Sequence, residues 1–225
     1  VLTQMITVIY NTADTYFVAK INTEASAAVG VAFSLMAIIQ AVGFGMGMGT
    51  GSLISRQLGA AKDEQARTTA NSGLLLGALF GTVLLILGLL FLRPLMSLLG
   101  ASENVLPYAA DYSTYILIAA PFMCASFVLN NILRSEGQTT LSMVGMMTGG
   151  LMNLALDPRM IFGLDMGIKG AAAATMIGQM TGLAVLCSFF FTKKSIIKIA
   201  PGAISRKIRV YTDIIRTGSP TILRQ

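Results

Sequence analysis

Two carboxylates inside long apolar runs are the residues of this sequence most able to do chemistry. Asp14 lies in the first run and Asp157 in the fifth, with Asn153 four residues before the second acid. Residues four apart share one face of a helix, so the Asn153 amide and the Asp157 carboxylate are predicted to point the same way. An ionisable group at membrane depth is costly, and this cost favours a functional role for both acids.

Pro158 follows Asp157 directly and is predicted to disturb the helix just past the acid. Proline has no N–H to donate, and its ring crowds the preceding turn. Within a membrane such a break is tolerated only where neighbouring protein or a wet cavity satisfies the freed backbone groups. The motif therefore favours a cation-coordinating or proton-carrying acid. The alternative is that each acid merely pairs with a neighbouring helix.

The composition indicates that these acids are surrounded by a membrane. Of the 225 residues, 54% are hydrophobic and only 12% are charged, against about 25% charged residues in an average soluble domain. The sequence contains no histidine, which excludes histidine metal sites and histidine-based catalysis. Cys124 and Cys187 lie in apolar runs and are predicted to be small core residues, not a disulfide or a metal pair.

Six apolar runs are long enough for a membrane helix, which needs about 20 residues. Runs of this length predict helices and exclude the short alternating strands of a barrel. They occupy residues 1–18, 25–54, 73–92, 107–133, 141–162 and 170–191. The predicted fold is an all-α membrane protein with a six-transmembrane-helix bundle. We expect the six-helix bundle at residues 1–192, a basic cytoplasmic linker at 193–212 and the truncated start of a seventh helix at 213–225.

The basic residues are divided unequally between the two sides of this bundle. If helix one runs from inside to outside, the inner connections hold eleven: Arg56, Lys62, Arg67, Arg134, Lys193, Lys194, Lys198, Arg206, Lys207, Arg209 and Arg216. The outer connections hold four: Lys20, Arg93, Arg159 and Lys169. Cytoplasmic loops carry the excess of lysine and arginine, which predicts this orientation. The distribution marks loops and not a groove-reading face, so no nucleic acid partner is expected.

The longest basic connection, residues 193–216, interleaves isoleucines with lysines and arginines. It is predicted to be either an amphipathic segment on anionic headgroups or a plain basic linker between two halves. The sequence leaves both alternatives open.

The glycine-rich segment Gly43–Gly51 does not predict a phosphate-binding loop. It lies within the second apolar run, follows no strand and lacks the Gly-Lys-Ser/Thr ending of such loops. Its small residues instead favour close helix contact or local bending.

Three side chains with oxygen atoms share one predicted depth. Asp14, Asp157 and Thr175 each lie six residues from the outer boundary of their helix, which is roughly 9 Å at 1.5 Å per residue. Hard cations such as sodium are expected to prefer these oxygens, by analogy with other hard ions. Two acids close together in a low dielectric cannot both ionise cheaply, so one of them could instead carry a proton. Arg159 is predicted to extend toward the outer surface and not to pair with Asp157.

An ordered set of short motifs resembles the multidrug and toxic compound extrusion (MATE) family over nearly the whole chain. The motifs are Asp14-Thr-Tyr-Phe-Val-Ala, Ser52-Leu-Ile-Ser-Arg-Gln-Leu-Gly59, Asn131-Ile-Leu-Arg-Ser-Glu-Gly-Gln138, Asn153-x-x-x-Asp157-Pro158, Gly167-Ile-Lys-Gly-Ala-Ala172 and Thr175-x-x-Gly-Gln179. The resemblance implies twelve helices in two six-helix lobes, of which this chain covers the first lobe and the start of helix seven. It also implies export of cationic or amphipathic drugs in exchange for sodium ions or protons.

The resemblance further implies which residues bind the coupling ion and the drug. The cation or proton site matches Tyr10, Asp14, Asn153, Asp157 and Thr175, and sodium is expected at the last four of these. Asn130 and Gln179 match positions in the substrate cavity.

The predicted function is a secondary active multidrug efflux antiporter, multi-pass in the plasma or inner membrane, and not an enzyme. No cofactor is expected besides the coupling ion, sodium or a proton. The expected partners are small-molecule drugs or toxins, the lipid bilayer and the second lobe of the same polypeptide.

Three alternative functions agree less well with the sequence, and one of them, a non-transporting assembly subunit, leaves the buried acids unexplained. A lipid-linked saccharide flippase of related fold would be expected to carry a more basic cavity. An intramembrane aspartyl protease would use Asp14 and Asp157, but only Gly163-Leu-Asp165 partly matches the Gly-x-Gly-Asp motif that such enzymes resemble.

Overall fold

The computed structural model describes residues 2–225, apart from the side chain of Thr3. These residues form eight α-helices: α1 (Leu2–Ala19), α2 (Thr23–Gly59), α3 (Asp63–Leu90), α4 (Leu92–Leu98), α5 (Leu106–Ser135), α6 (Thr139–Pro158), α7 (Ile168–Phe191) and α8 (Ile208–Arg224). A π-helical turn, Arg159–Gly163, follows α6, and a 3-10 turn, Pro201–Ala203, lies between α7 and α8. No strand occurs in the described residues, and the predicted all-α fold is confirmed.

Each of the six predicted spans forms a long helix of its own, namely α1, α2, α3, α5, α6 and α7. Four of these helices, α2, α3, α5 and α7, are long and apolar enough to cross a membrane on length and composition alone. The other two, α1 and α6, carry Asp14 and Asp157 among several polar residues. Those polar residues lower the mean hydropathy of both helices, so the candidate site itself weakens their membrane signal.

Helix α5 lies at the centre of the bundle, where it contacts α2, α3, α4, α6 and α7. It can take this position because its buried residues are mostly apolar, and Ile116, Met123 and Leu129 are completely enclosed. Helix α1 lies at the edge of the bundle and packs mainly against α6. The short α4 extends the outer end of α3 and is an element that the apolar runs did not predict.

The segment Gly43–Gly51 is a continuous part of α2, and both α5 and α8 pack closely against it. A Cβ at Gly47 would lie 2.8 Å from the Phe127 carbonyl oxygen of α5. A Cβ at Gly49 would overlap the Ile214 carbonyl oxygen of α8. These glycines therefore permit close helix contacts, as predicted.

The connection between α7 and α8 is fixed to the inner ends of α3 and α5. The Glu136 carboxylate accepts hydrogen bonds from the Ser195 hydroxyl at 2.7 Å and from the backbone N–H groups of Ile196 and Ile197 at 3.0 Å. Asn71, in the third turn of α3, accepts a hydrogen bond from the backbone N–H of Ala200 at 2.9 Å. Apart from the 3-10 turn the connection has an irregular backbone. Residues 208–212, which the sequence assigns to the linker, form the start of α8, and this helix packs against α2.

Candidate cation and substrate site

Polar side chains from α1, α6 and α7 meet inside the bundle although they are far apart in sequence. Asp14 of α1 is 2% exposed, Asp157 and Asn153 of α6 are 0% and 3% exposed, and Thr175 of α7 is 3% exposed. The two carboxylates are near enough to interact electrostatically. The structure thus brings together the four residues at which the sequence predicts sodium.

Hydrogen bonds connect these residues across four helices. The Tyr112 hydroxyl of α5 donates to Asp14 Oδ2 at 2.6 Å. Asn153 Nδ2 donates to Thr175 Oγ1 at 2.9 Å, which joins α6 to α7. The Thr175 hydroxyl donates to the Ala171 carbonyl oxygen at 3.2 Å, within its own helix. The two hydrogen bonds between helices join residues that are 98 and 22 positions apart in the sequence.

Four buried oxygen atoms of this cluster accept no hydrogen bond within the described part of the chain. They are Asp14 Oδ1, Asn153 Oδ1 and both carboxylate oxygens of Asp157. A buried acceptor without a partner costs about 1–3 kcal/mol, and more when it is charged. Carboxylate, amide and hydroxyl oxygens are suitable ligands for a hard cation, and carboxylates can also be satisfied by protons.

The chain leaves α6 through the π-helical turn directly after Pro158. Proline has no N–H for the regular hydrogen-bond ladder, and π-helical turns are frequent at functional sites. Arg159 begins the turn with an exposed side chain. Among the described residues no ion pair joins it to Asp157, which agrees with its predicted extension away from the acid. Asp157 is therefore not neutralised by the nearest arginine in the sequence.

Tyr112 belongs to this cluster but is absent from the predicted site residues. Its side chain is completely buried, and its hydroxyl is the hydrogen-bond donor to Asp14. The depth argument could have found it, because Tyr112 lies six residues after Leu106, the first residue of α5. Tyr112 donates a hydrogen bond to the acid and is not itself a predicted cation ligand, so the preference of hard cations for oxygen ligands does not identify it.

A cavity of about 630 Å³ opens beside the cluster. Asn153, Thr175, Tyr10 and Gln179 all line it, and the last two side chains interact with each other. Neither aspartate is among the lining residues. The cavity therefore meets the buried carboxylates through the hydrogen-bonded pair of Asn153 and Thr175.

Asn130, predicted as a cavity residue, lies outside the cavity wall. It is 1% exposed, and its Nδ2 group donates to the Ser142 carbonyl oxygen of α6 at 3.1 Å. Its neighbours Phe127 and Arg134 on the same face of α5 do line the cavity. The start of α6 covers Asn130, so this residue joins two helices instead of facing the cavity.

Comparison with known proteins gives consistent matches. The MatE family model matches residues 1–158. The FAD transporter of Shewanella oneidensis is 32% identical over 218 residues, which cover 95% of this chain and 48% of that protein. The multidrug export protein MepA of Staphylococcus saprophyticus is 26% identical over 220 residues, which cover 97% of this chain and 49% of that protein.

A solved structure, the crystal structure of MATE in the bent conformation, has a TM-score of 0.92 at 31% sequence identity. The match covers 98% of this chain and 50% of that chain, so the present chain spans about half the length of the relatives it matches. The names of these relatives describe transporters and not enzymes, which argues against the aspartyl protease. The predicted resemblance to MATE transporters is confirmed.

Proposed function

The chain belongs to the MatE family, and we propose that it forms the first lobe of a secondary active exporter of small organic compounds. The second lobe of the same polypeptide would supply the opposite wall of the cavity. The exporter would lie in the plasma or inner membrane, with sodium ions or protons moving inward as the coupled substrate. Its coupling site would consist of Asp14, Asp157, Asn153 and Thr175, with Tyr10 at the cavity side.

The observation that carries this proposal is the group of four buried oxygen atoms that accept no hydrogen bond from the residues the structure describes. A protein that used both acids only for helix packing would supply a donor for each oxygen, because unpaired buried charge is strongly destabilising. Tyr112 supplies a donor to one oxygen of Asp14. Asp157 accepts no hydrogen bond from the described residues. Such a group of oxygens is stabilised when a cation or a proton binds to it. The cation or proton can leave when water molecules supply hydrogen bonds to the oxygens in its place.

Coupling follows from the position of the Asn153–Thr175 pair, which lies in the cavity wall and in the oxygen cluster. Binding of a cation shifts a conformational equilibrium only by its differential affinity for the two states. A cation that recruits the Asn153 carbonyl oxygen would reorient this amide and thereby change the cavity wall. The bound compound would then be released outward as the cation enters.

The relatives support small organic molecules as the exported class. One is named for FAD and the other for several drugs. A cavity of about 630 Å³ is in the size range of small-molecule sites. We therefore propose export of drug-sized compounds with an apolar portion.

Asp157→Asn in the complete protein tests this function. The substitution keeps the shape of the side chain but removes the negative charge that attracts the coupling ion, so we expect loss of gradient-driven efflux from proteoliposomes. Asp111→Asn is the matched control, because Asp111 is half exposed and its only described ion pair is with Lys169 at 3.6 Å. Imposed sodium and pH gradients, applied separately, would identify the coupling ion.

Undiminished gradient-driven efflux by normally expressed Asp157→Asn protein would contradict the proposed coupling site. Equal loss in Asp157→Asn and Asp111→Asn would also contradict it, because the effect would then not depend on the buried position.

A further inference from the structure

The described residues that line the cavity include one arginine and no aspartate or glutamate. The arginine is Arg134, near the inner end of α5. The other polar groups of the wall are mainly amides, among them Gln4, Gln40 and Gln179. On the wall that the described residues form, this positive charge opposes binding of cationic compounds and favours compounds with an anionic group.

One hydrogen bond orients Arg134, which is an exposed residue that lines the cavity. Its Nε–H donates to the Ser142 hydroxyl of α6 at 3.2 Å. Ser142 is completely buried, and its carbonyl oxygen is fixed by the Asn130 amide at 3.1 Å. The ion pairs of the described residues involve Glu64 and Asp111, so no carboxylate there neutralises this guanidinium. Its terminal N–H groups can form the paired hydrogen bonds that suit a carboxylate or a phosphate.

An aromatic surface lies in the same cavity wall. The rings of Phe44 and Phe127 have centroids 4.6 Å apart at an interplanar angle of 36°, and both residues line the cavity. Phe127 and Arg134 are seven residues apart on one face of α5, which is about 10 Å along the helix axis. A flat ring packed on the phenylalanines and an anionic group on Arg134 would therefore be about 10 Å apart in a bound compound.

From these features we infer that the cavity binds amphipathic organic anions that carry a flat aromatic group and a carboxylate or a phosphate. The inference rests on the proposed function, because it names the substrate class of the same cavity. It retains the predicted amphipathic character of the substrate and replaces the predicted cationic class. Arg134 is the specificity-determining residue, and Ser142 positions it.

Three probes with the same ring and chain test the inference on the complete protein in nanodiscs of zwitterionic lipid. They are pyrenebutyrate, pyrenebutyl phosphate and pyrenebutyltrimethylammonium. We expect the tighter of the two anions to bind at least about tenfold more strongly than the cation, since one hydrogen bond to a charged group is enough for a difference of this size. The anion that binds more tightly identifies the recognised group as carboxylate or phosphate.

Four variants assign the preference to Arg134. Arg134→Gln should weaken anion binding about tenfold and leave cation binding unchanged or stronger, while Arg134→Lys should keep part of the anion preference because the charge remains. Ser142→Ala should give an intermediate loss, because the guanidinium loses its orienting acceptor. Arg159→Gln is the control, since this arginine is exposed like Arg134 but does not line the cavity. Cation binding by each variant reports that the cavity has folded.

Equal or tighter binding of the cation by the wild-type protein would overturn the inference, and this comparison needs no variant. Anion affinity that is unchanged in Arg134→Gln would overturn it as well. If an ion gradient drives efflux that Asp157→Asn abolishes while Arg134→Gln has no effect, the proposed function stands and only the substrate class is wrong. If no ion gradient drives efflux of any probe, the proposed function itself fails.

Discussion

Gly178→Ala should damage the candidate site without changing any of its polar residues. Gly178 of α7 lies against α6, where an added Cβ would be 2.8 Å from the Gly149 carbonyl oxygen and 3.0 Å from the Asn153 Cβ. Atoms of this kind are most stable at about 3.5–4.0 Å, so α6 and α7 must separate by at least about 0.5–0.7 Å at this level. The Asn153–Thr175 hydrogen bond lies one turn away.

The size of the effect follows from that separation. A 2.9 Å bond between Asn153 Nδ2 and Thr175 Oγ1 would lengthen to about 3.5 Å, where a hydrogen bond is essentially lost. Overpacking costs about 1–3 kcal/mol, and the lost hydrogen bond adds about 1 kcal/mol. We expect a lower free energy of unfolding by about 2–4 kcal/mol and a clear loss of gradient-driven efflux.

Thermal unfolding of the complete protein in detergent and efflux from proteoliposomes measure these two effects. Gly30→Ala is the matched control, because nothing lies within 4 Å of a Cβ at that position of α2. It should leave efflux unchanged and unfolding unchanged or slightly improved, since alanine favours a helix over glycine by about 1 kcal/mol. Wild-type stability and efflux in Gly178→Ala protein would refute the reasoning that close packing holds the Asn153–Thr175 pair.

Two further substitutions test contacts that connect distant parts of the chain. Tyr112→Phe removes the donor to Asp14 Oδ2. We therefore expect a free energy of unfolding that is lower by about 1–3 kcal/mol, and reduced coupled efflux. Tyr16→Phe, at an exposed position of α1, is the control and should have neither effect. Stability equal to that of wild type would mean that this hydrogen bond does not support the buried acid. Glu136→Gln weakens the acceptor that holds Ser195, Ile196 and Ile197. Limited trypsin digestion should therefore cleave the basic connection between α7 and α8 faster in this variant. Glu103→Gln, in an exposed loop, is the control and should be cleaved at the wild-type rate. An unchanged digestion rate in Glu136→Gln would show that other contacts fix the connection.

The helices and the two acids could be predicted because the signals for them are local. A run of about 20 apolar residues specifies a membrane helix without reference to the rest of the fold. The cost of burying Asp14 or Asp157 is likewise a property of each residue in its own segment. The constant rise of a helix then relates positions on different helices by depth. For this reason Asp14, Asp157 and Thr175 could be assigned to one level before their contacts were known.

Contacts between helices could not be predicted in the same way. Each helix carries apolar residues on most of its faces. Hydropathy therefore does not show which face of the helix points to the centre of the bundle. Tyr112 and Asp14 are 98 positions apart, and no local pattern pairs them. Asn130 shows the same limit, because the resemblance matches it to the cavity, whereas its amide donates to the Ser142 carbonyl oxygen of α6. The docking of the basic connection on Glu136 also depends on side chains some 60 positions away.

Under the proposed function, the Asn153–Thr175 pair would relate the coupling ion to the organic compound. Coupling between two ligands is reciprocal: if the ion changes the affinity for the compound, the compound changes the affinity for the ion by the same factor. An element next to both ligands is a direct way to couple them. The pair lies in the cavity wall, and Asn153 Oδ1 accepts no hydrogen bond from the described residues, like both carboxylate oxygens of Asp157. Gly178→Ala should therefore weaken the coupling while ion binding to the acids persists. Asp157→Asn should remove ion binding and leave binding of the compound in place.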